Sequence, residues 1–159
     1  MQAPPIKIGM YYFKRMMTTK ATPVVVTFVP GRLVITAEHQ VMLDAWSQDL
    51  RFTAGKVAGT STVIAPTGSF LLAALGPNHG PSFSPEQEAE IHAAHVVAAQ
   101  DPQARQLELG RTFWVGRPNK VDGTHRGAWK SLRAKDAGNQ KDIARIFNDA
   151  LLAIGVPPA

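Results

Sequence analysis

Apolar and polar positions alternate in short bursts over the first half of the chain. "VVVTFV" (24–29) is rich in β-branched residues and stops at Pro30-Gly31. "RLVIT" (32–36) places Leu33 and Ile35 on one face. After the polar turn Glu38-His39-Gln40 come "VMLDAW" (41–46), "LRFTAG" (50–55), "TSTVIA" (60–65), the turn Pro66-Thr67-Gly68, and "SFLLAAL" (69–75). Turn residues recur every 7 to 10 positions, which leaves no room for the helical crossovers of βαβ units. The pattern predicts a β-meander, closed as a sandwich or small barrel. "IKIGMYYFKRMM" (6–17) carries aromatics that favour a strand and methionines and basic residues compatible with a helix. We assign it as a strand.

The period changes after residue 75. "GPNHGPSFSP" (76–85) is a Gly/Pro-rich break. Ser84 then suits an N-cap, Pro85 the first helical position, and Gln87 the far side of an S-x-x-Q capping box. Glu86, Glu88 and Glu90 suit the positive end of the helix dipole, and Asp101-Pro102 is expected to end the helix. "RTFWVG" (111–116) reads as one more strand, and residues 128–134 as a short helix. The last helix is expected from an Asn139 cap to residue 154. Ile143, Ile146, Phe147, Ala150, Leu151 and Ile154 form one apolar stripe on it, with Gly155 at the C′ position and Pro157 beyond. Such a stripe requires an apolar acceptor, and an open β-barrel supplies one.

Size and charge narrow the picture further. A chain of 159 residues is one domain with enough core to fold unaided. We divide it into a β-meander (6–75), a linker (76–83), a helix (84–101), an irregular basic segment (102–138) and a final helix (139–154). The absence of cysteine excludes disulfides, thiolate metal sites and thiol catalysis, and fits a reducing, cytoplasmic setting. The longest apolar runs, such as residues 70–75, are far shorter than the ~18 residues of a membrane span, and the N-terminal segment lacks the apolar core of a signal peptide. The net charge of +5 favours anionic partners. It is unevenly spread. Lys7, Lys14, Arg15 and Lys20 stand without an acid in residues 1–20, and Arg117, Lys120, Arg126, Lys130, Arg133 and Lys135 oppose Asp122 alone in residues 117–135.

Three candidate chemistries fail on spacing. "TAGKVAGTST" (53–62) has the glycines, lysine and hydroxyls of a phosphate loop. However, Val57 follows Gly55-Lys56 where a hydroxyl is needed, Leu50 stands where the first glycine belongs, and a strand follows instead of a helix. Gly55 and Gly59 are expected instead to supply positive φ in a loop between strands. "GTSTV" lacks the second glycine of a hydrolase elbow. Glu88, His92 and His95 share a helix face in "EAEIHAAH", but without H-x-x-x-H spacing or a following acid. We therefore expect no metal, no cofactor and no catalysis. Trp129 among the cations of 117–135 offers a base-stacking aromatic, which makes nucleic acid the alternative partner.

Residues 26–75 resemble the strand series of a pleckstrin-homology-like (PH-like) domain. The likeness rests on "GRLVIT", the acid–aromatic pair Asp44 and Trp46 ending the next strand, and "GSFLLAAL" as the closing strand. The amphipathic helix 139–154 is similar to the helix that plugs one end of that barrel. The resemblance implies an α+β fold: an antiparallel PH-like split barrel with a C-terminal helix and an additional helix in an insertion, 76–138. It also implies a non-catalytic module that binds a protein or an anionic surface such as a lipid headgroup layer. Phosphoinositide-binding members carry cations in the first hairpin loop as K-x(n)-K-x-R. If that hairpin is 24–36, its turn offers Arg32 only. If residues 6–13 are the first strand, Lys14, Arg15 and Lys20 occupy the loop, at a different spacing. The candidate anion-binding residues are thus Lys14, Arg15, Lys20, Arg117, Lys120, Arg126, Lys130 and Arg133.

Overall fold

Seven strands form where β-branched, aromatic and alternating residues predict them. A computed structural model of the chain describes residues 6–14, 21–55, 60–73, 83–98, 144–145 and 147–159. The strands are β1 (Ile6–Phe13), β2 (Ala21–Val29), β3 (Arg32–Thr36), β4 (Val41–Trp46), β5 (Arg51–Ala54), β6 (Thr60–Ala65) and β7 (Gly68–Ala73). A single 3-10 turn, Ser47–Asp49, joins β4 to β5. Helix α1 spans Pro85–Ala98, and a second helix, α2, includes residues 144–145 and 147–153. Gly31 and Gly68 take φ of 75° and 143° in the turns before β3 and β7, conformations that a Cβ disfavours. The segments 111–116 and 128–134, expected as a strand and a short helix, lie outside the described residues, as do the start of the last helix at Asn139 and the end of α1 at Asp101.

The strands follow one another as in the expected meander, split between β4 and β5 and joined through β1 and β7. The observed order is β4-β3-β2-β1-β7-β6-β5, antiparallel throughout, so β1 is central and β4 and β5 are the two edges. Yet these edges are consecutive in the chain, with only residues 47–50 between them. In a flat sheet they would stand about 29 Å apart at ~4.8 Å per strand. The extended connection reaches about 17 Å. The sheet is therefore rolled, which makes this an α+β fold around an open, barrel-like antiparallel sheet.

Residues opposite one another in an antiparallel pair share a face. The inner face takes Ile8 and Met10 of β1, Val24, Val26 and Phe28 of β2, Leu33 and Ile35 of β3, Leu43 of β4, Leu72 of β7, Val63 of β6 and Phe52 of β5, all buried. Helix α2 fills this concavity. Phe147 meets Phe28 edge-on at 5.6 Å, Ala150 and Leu151 are buried, and the Ser61 hydroxyl donates to Asn148 Oδ1 at 2.7 Å. The described part of the predicted stripe is thus seated as its period required.

The outer face of β1 is covered too, by α1. The Ser84 hydroxyl accepts from the Gln87 N–H at 3.1 Å, and Gln87 Oε1 accepts from the Ser84 N–H at 2.9 Å, so the capping box forms in both directions. Glu86 and Glu88 remain exposed, as an acidic surface helix should have them. Phe83, Gln87 and Ile91, however, are buried against Gly9, Tyr11 and Pro23. Gln87 Nε2 donates to the Pro23 carbonyl at 3.0 Å, and Lys7 pairs with Glu90 at 2.5 Å. Coverage of both faces explains why β1 is apolar at nearly every position.

Candidate anionic-surface site at the first hairpin

Of the two readings of the first hairpin, the strand pairing selects residues 6–29. β1 and β2 pair over their whole length, from Ile6↔Phe28 to Phe13↔Ala21. Residues 14–20, "KRMMTTK", therefore connect two paired strand ends, and Lys14, Arg15 and Lys20 belong to one connection of seven residues. Lys14 is exposed. Arg15 and Lys20 lie outside the described residues. The partner of Phe13 on the other side is Leu71, so the exposed turn Pro66-Thr67 that precedes β7 lies beside this strand end. On the far side of β2 the turn 37–40 extends the same way, closed by Ala37 N–H donating to Gln40 O at 2.9 Å.

Acids bound this cationic connection. Glu38 and His39, 3.5 Å apart, are exposed on the 37–40 turn. Helix α1 runs antiparallel to β1, with Gln87 at Pro23 and Glu90 at Lys7, so Glu86 and Glu88 lie toward the Phe13 end. The charge there is mixed in sign outside residues 14–20. The remaining candidate cations, Arg117, Lys120, Arg126, Lys130 and Arg133, lie outside the described residues.

A second surface was not anticipated as a site. On edge strand β4, Val41 is 62% exposed and Trp46 is 61% exposed. Between them Asp44 receives two hydrogen bonds from the Arg32 guanidinium, one of 2.6 Å from Nε. That pairing holds the Asp44 carboxyl below its ordinary range and raises Arg32. Trp46 ends an alternating strand, and the sequence signal for its exposure is its parity with Asp44. The β3–β4 register slips between Ile35 and Thr36, which puts Val41 opposite Thr36 on the same outer side.

Residues 60–65 form β6, so no helix N-terminus follows Gly55. The expectation of positive φ at Gly55 is corrected: among the described glycines only Gly31, Gly68 and Gly155 have it. Gly55 is required by space instead, since a Cβ there would overlap the Thr60 side chain, and its N–H donates to Thr60 O at 2.9 Å. Among the described residues no three metal-binding side chains cluster, and the side chains of His92 and His95 are outside that set. No helix among the described residues is long and apolar enough to cross a membrane. No family model, curated protein or solved structure matches this chain.

Proposed function

We propose that the chain is a non-catalytic, PH-like interaction module that binds an anionic surface through the β1–β2 connection. The observation that carries this reading is the Phe13↔Ala21 pairing, which gathers Lys14, Arg15 and Lys20 into the first hairpin loop. Support for the PH-like identity comes from the rolled antiparallel sheet and from α2 seated in its concavity. Three cations flanking Met16 and Met17 suit a charged layer of phosphates over an apolar interior. The acids beside the loop make the interaction local and orientation-dependent rather than a general attraction of the +5 chain.

Each cation near an anionic leaflet contributes about 1 kcal/mol, so replacing Lys14, Arg15 and Lys20 by alanine is expected to weaken binding more than about a hundredfold. Co-sedimentation with vesicles of anionic and of zwitterionic lipid measures this. Equal pelleting of the parent and the triple variant would remove the reading. The six cations of residues 117–135 favour a second one, association with nucleic acid. That predicts a gel shift with steep salt dependence, lost when Arg117, Lys120, Arg126, Lys130 and Arg133 become alanine.

A further inference from the structure

The two edges of the sheet are treated differently. β4 is irregular and charged: its register slips at Ile35/Thr36, and Asp44 stands in mid-strand. Both features discourage a further strand. β5 already has one. Residues 156–159 lie beside it, with a parallel bridge between Phe52 and Pro158. The Phe52 N–H donates to Pro157 O at 3.2 Å, and the Ala159 N–H donates to Phe52 O at 2.8 Å.

We propose that the backbone edge of β5 at Phe52 is a docking site for an extended peptide carrying an apolar residue followed by two prolines, and that residues 156–159 fill it in cis as a built-in competitor. The bonding pattern defines the ligand. The edge requires one carbonyl, at the position of Pro157, and one N–H, at the position of Ala159. Neither proline nitrogen is needed, so proline at both places loses no bond. Its fixed φ keeps the segment extended and reduces the entropy lost on docking. The apolar anchor is Val156, 1% exposed, whose N–H donates to Leu151 O at 2.9 Å. Main-chain bonds supply affinity and the buried position taken by the Val156 side chain supplies selectivity, the division of labour of strand addition. Gly155, with φ of 96°, turns the chain out of α2 toward the edge. Three backbone bonds and one buried side chain hold the segment, few enough for it to open locally while the core stays folded.

A labelled peptide of sequence Ile-Gly-Val-Pro-Pro-Ala, titrated by fluorescence anisotropy, tests this. The full chain with Val156→Asp, shown folded by near-ultraviolet circular dichroism, is expected to bind it at least tenfold more tightly than the parent, whose own segment competes. A folded variant that binds no better than the parent would overturn the proposal. A second measurement needs no substitution. Excess peptide added to the parent should lower amide-exchange protection at Ala159 while Phe52 stays protected. Unchanged exchange at both positions would also overturn it. A concentration-dependent dimer of the parent that loses Ala159 protection would assign the edge to a second copy and overturn the competition in cis.

Discussion

A methyl group added at Gly9 would lie 2.8 Å from Ile91 Cδ1 and 3.0 Å from Phe83 Cε2. Glycine at this one position of β1 lets α1 lie against the sheet. Gly9→Val is therefore expected to destabilise the fold by about 1–3 kcal/mol, the usual cost of overpacking, measured by urea denaturation. Beside it, burial raises the Tyr11 phenol above the ordinary value of 10.0, and the Glu88 carboxylate adds to the rise. The folded state thus prefers the protonated phenol. That contribution is complete below the ordinary tyrosine value and drains as pH rises toward the folded one. Unfolding free energy should fall above about pH 10, by at most about 1.4 kcal/mol per pH unit for one proton. Tyr11→Phe should flatten that alkaline limb in denaturation curves taken across the range. Neither effect was legible in the sequence. Gly9 and Tyr11 read as ordinary strand residues, because nothing local shows that β1 is covered on both faces. The Ser84–Gln87 capping box was legible, because its two bonds join residues three apart.

At the level of elements, the strands were legible where alternation and turn residues agree. β3, β4 and β6 begin and end where the pattern placed them. β2 starts earlier than expected, at Ala21, and includes Pro23. Proline is tolerated there because β3 pairs with β2 only from Val25 onward, so one side of Pro23 has no ladder to interrupt. α1 was legible as a helix but not as a packed one. Among its described contacts with the sheet the buried ones are Phe83, just before the helix, Gln87 and Ile91, and a polar glutamine is one of these three anchors. α2 carries the stronger signal, a long apolar stripe, and Phe147, Ala150 and Leu151 of it are buried in the core. Phe147→Ala is expected to cost about 3–5 kcal/mol, because the ring fills the space against Phe28 under the sheet. A loss below 1 kcal/mol in thermal or urea unfolding would show that the concavity collapses without it.

For the molecule as a whole, strand order was the part that local pattern could not supply. The pairing of Tyr11 with Ala73 and Phe13 with Leu71 joins residues about sixty positions apart, and no period or turn encodes it. The short β4–β5 connection is its only sequence correlate. The candidate site was half legible for the same reason. The cations are plain in the sequence, but their membership of one loop depends on knowing which strand pairs with Ala21.

Order of synthesis adds a constraint of a different kind. A ribosome completes the seven described strands by Ala73, while Phe147, Leu151 and Val156 lie about seventy to eighty residues further along the chain. The greasy hollow around Phe28 and Ile35 therefore stays wet while that intervening stretch is made, a hazard that chaperones exist to shield. Only when residues 147–156 emerge does the nascent chain acquire its own cover.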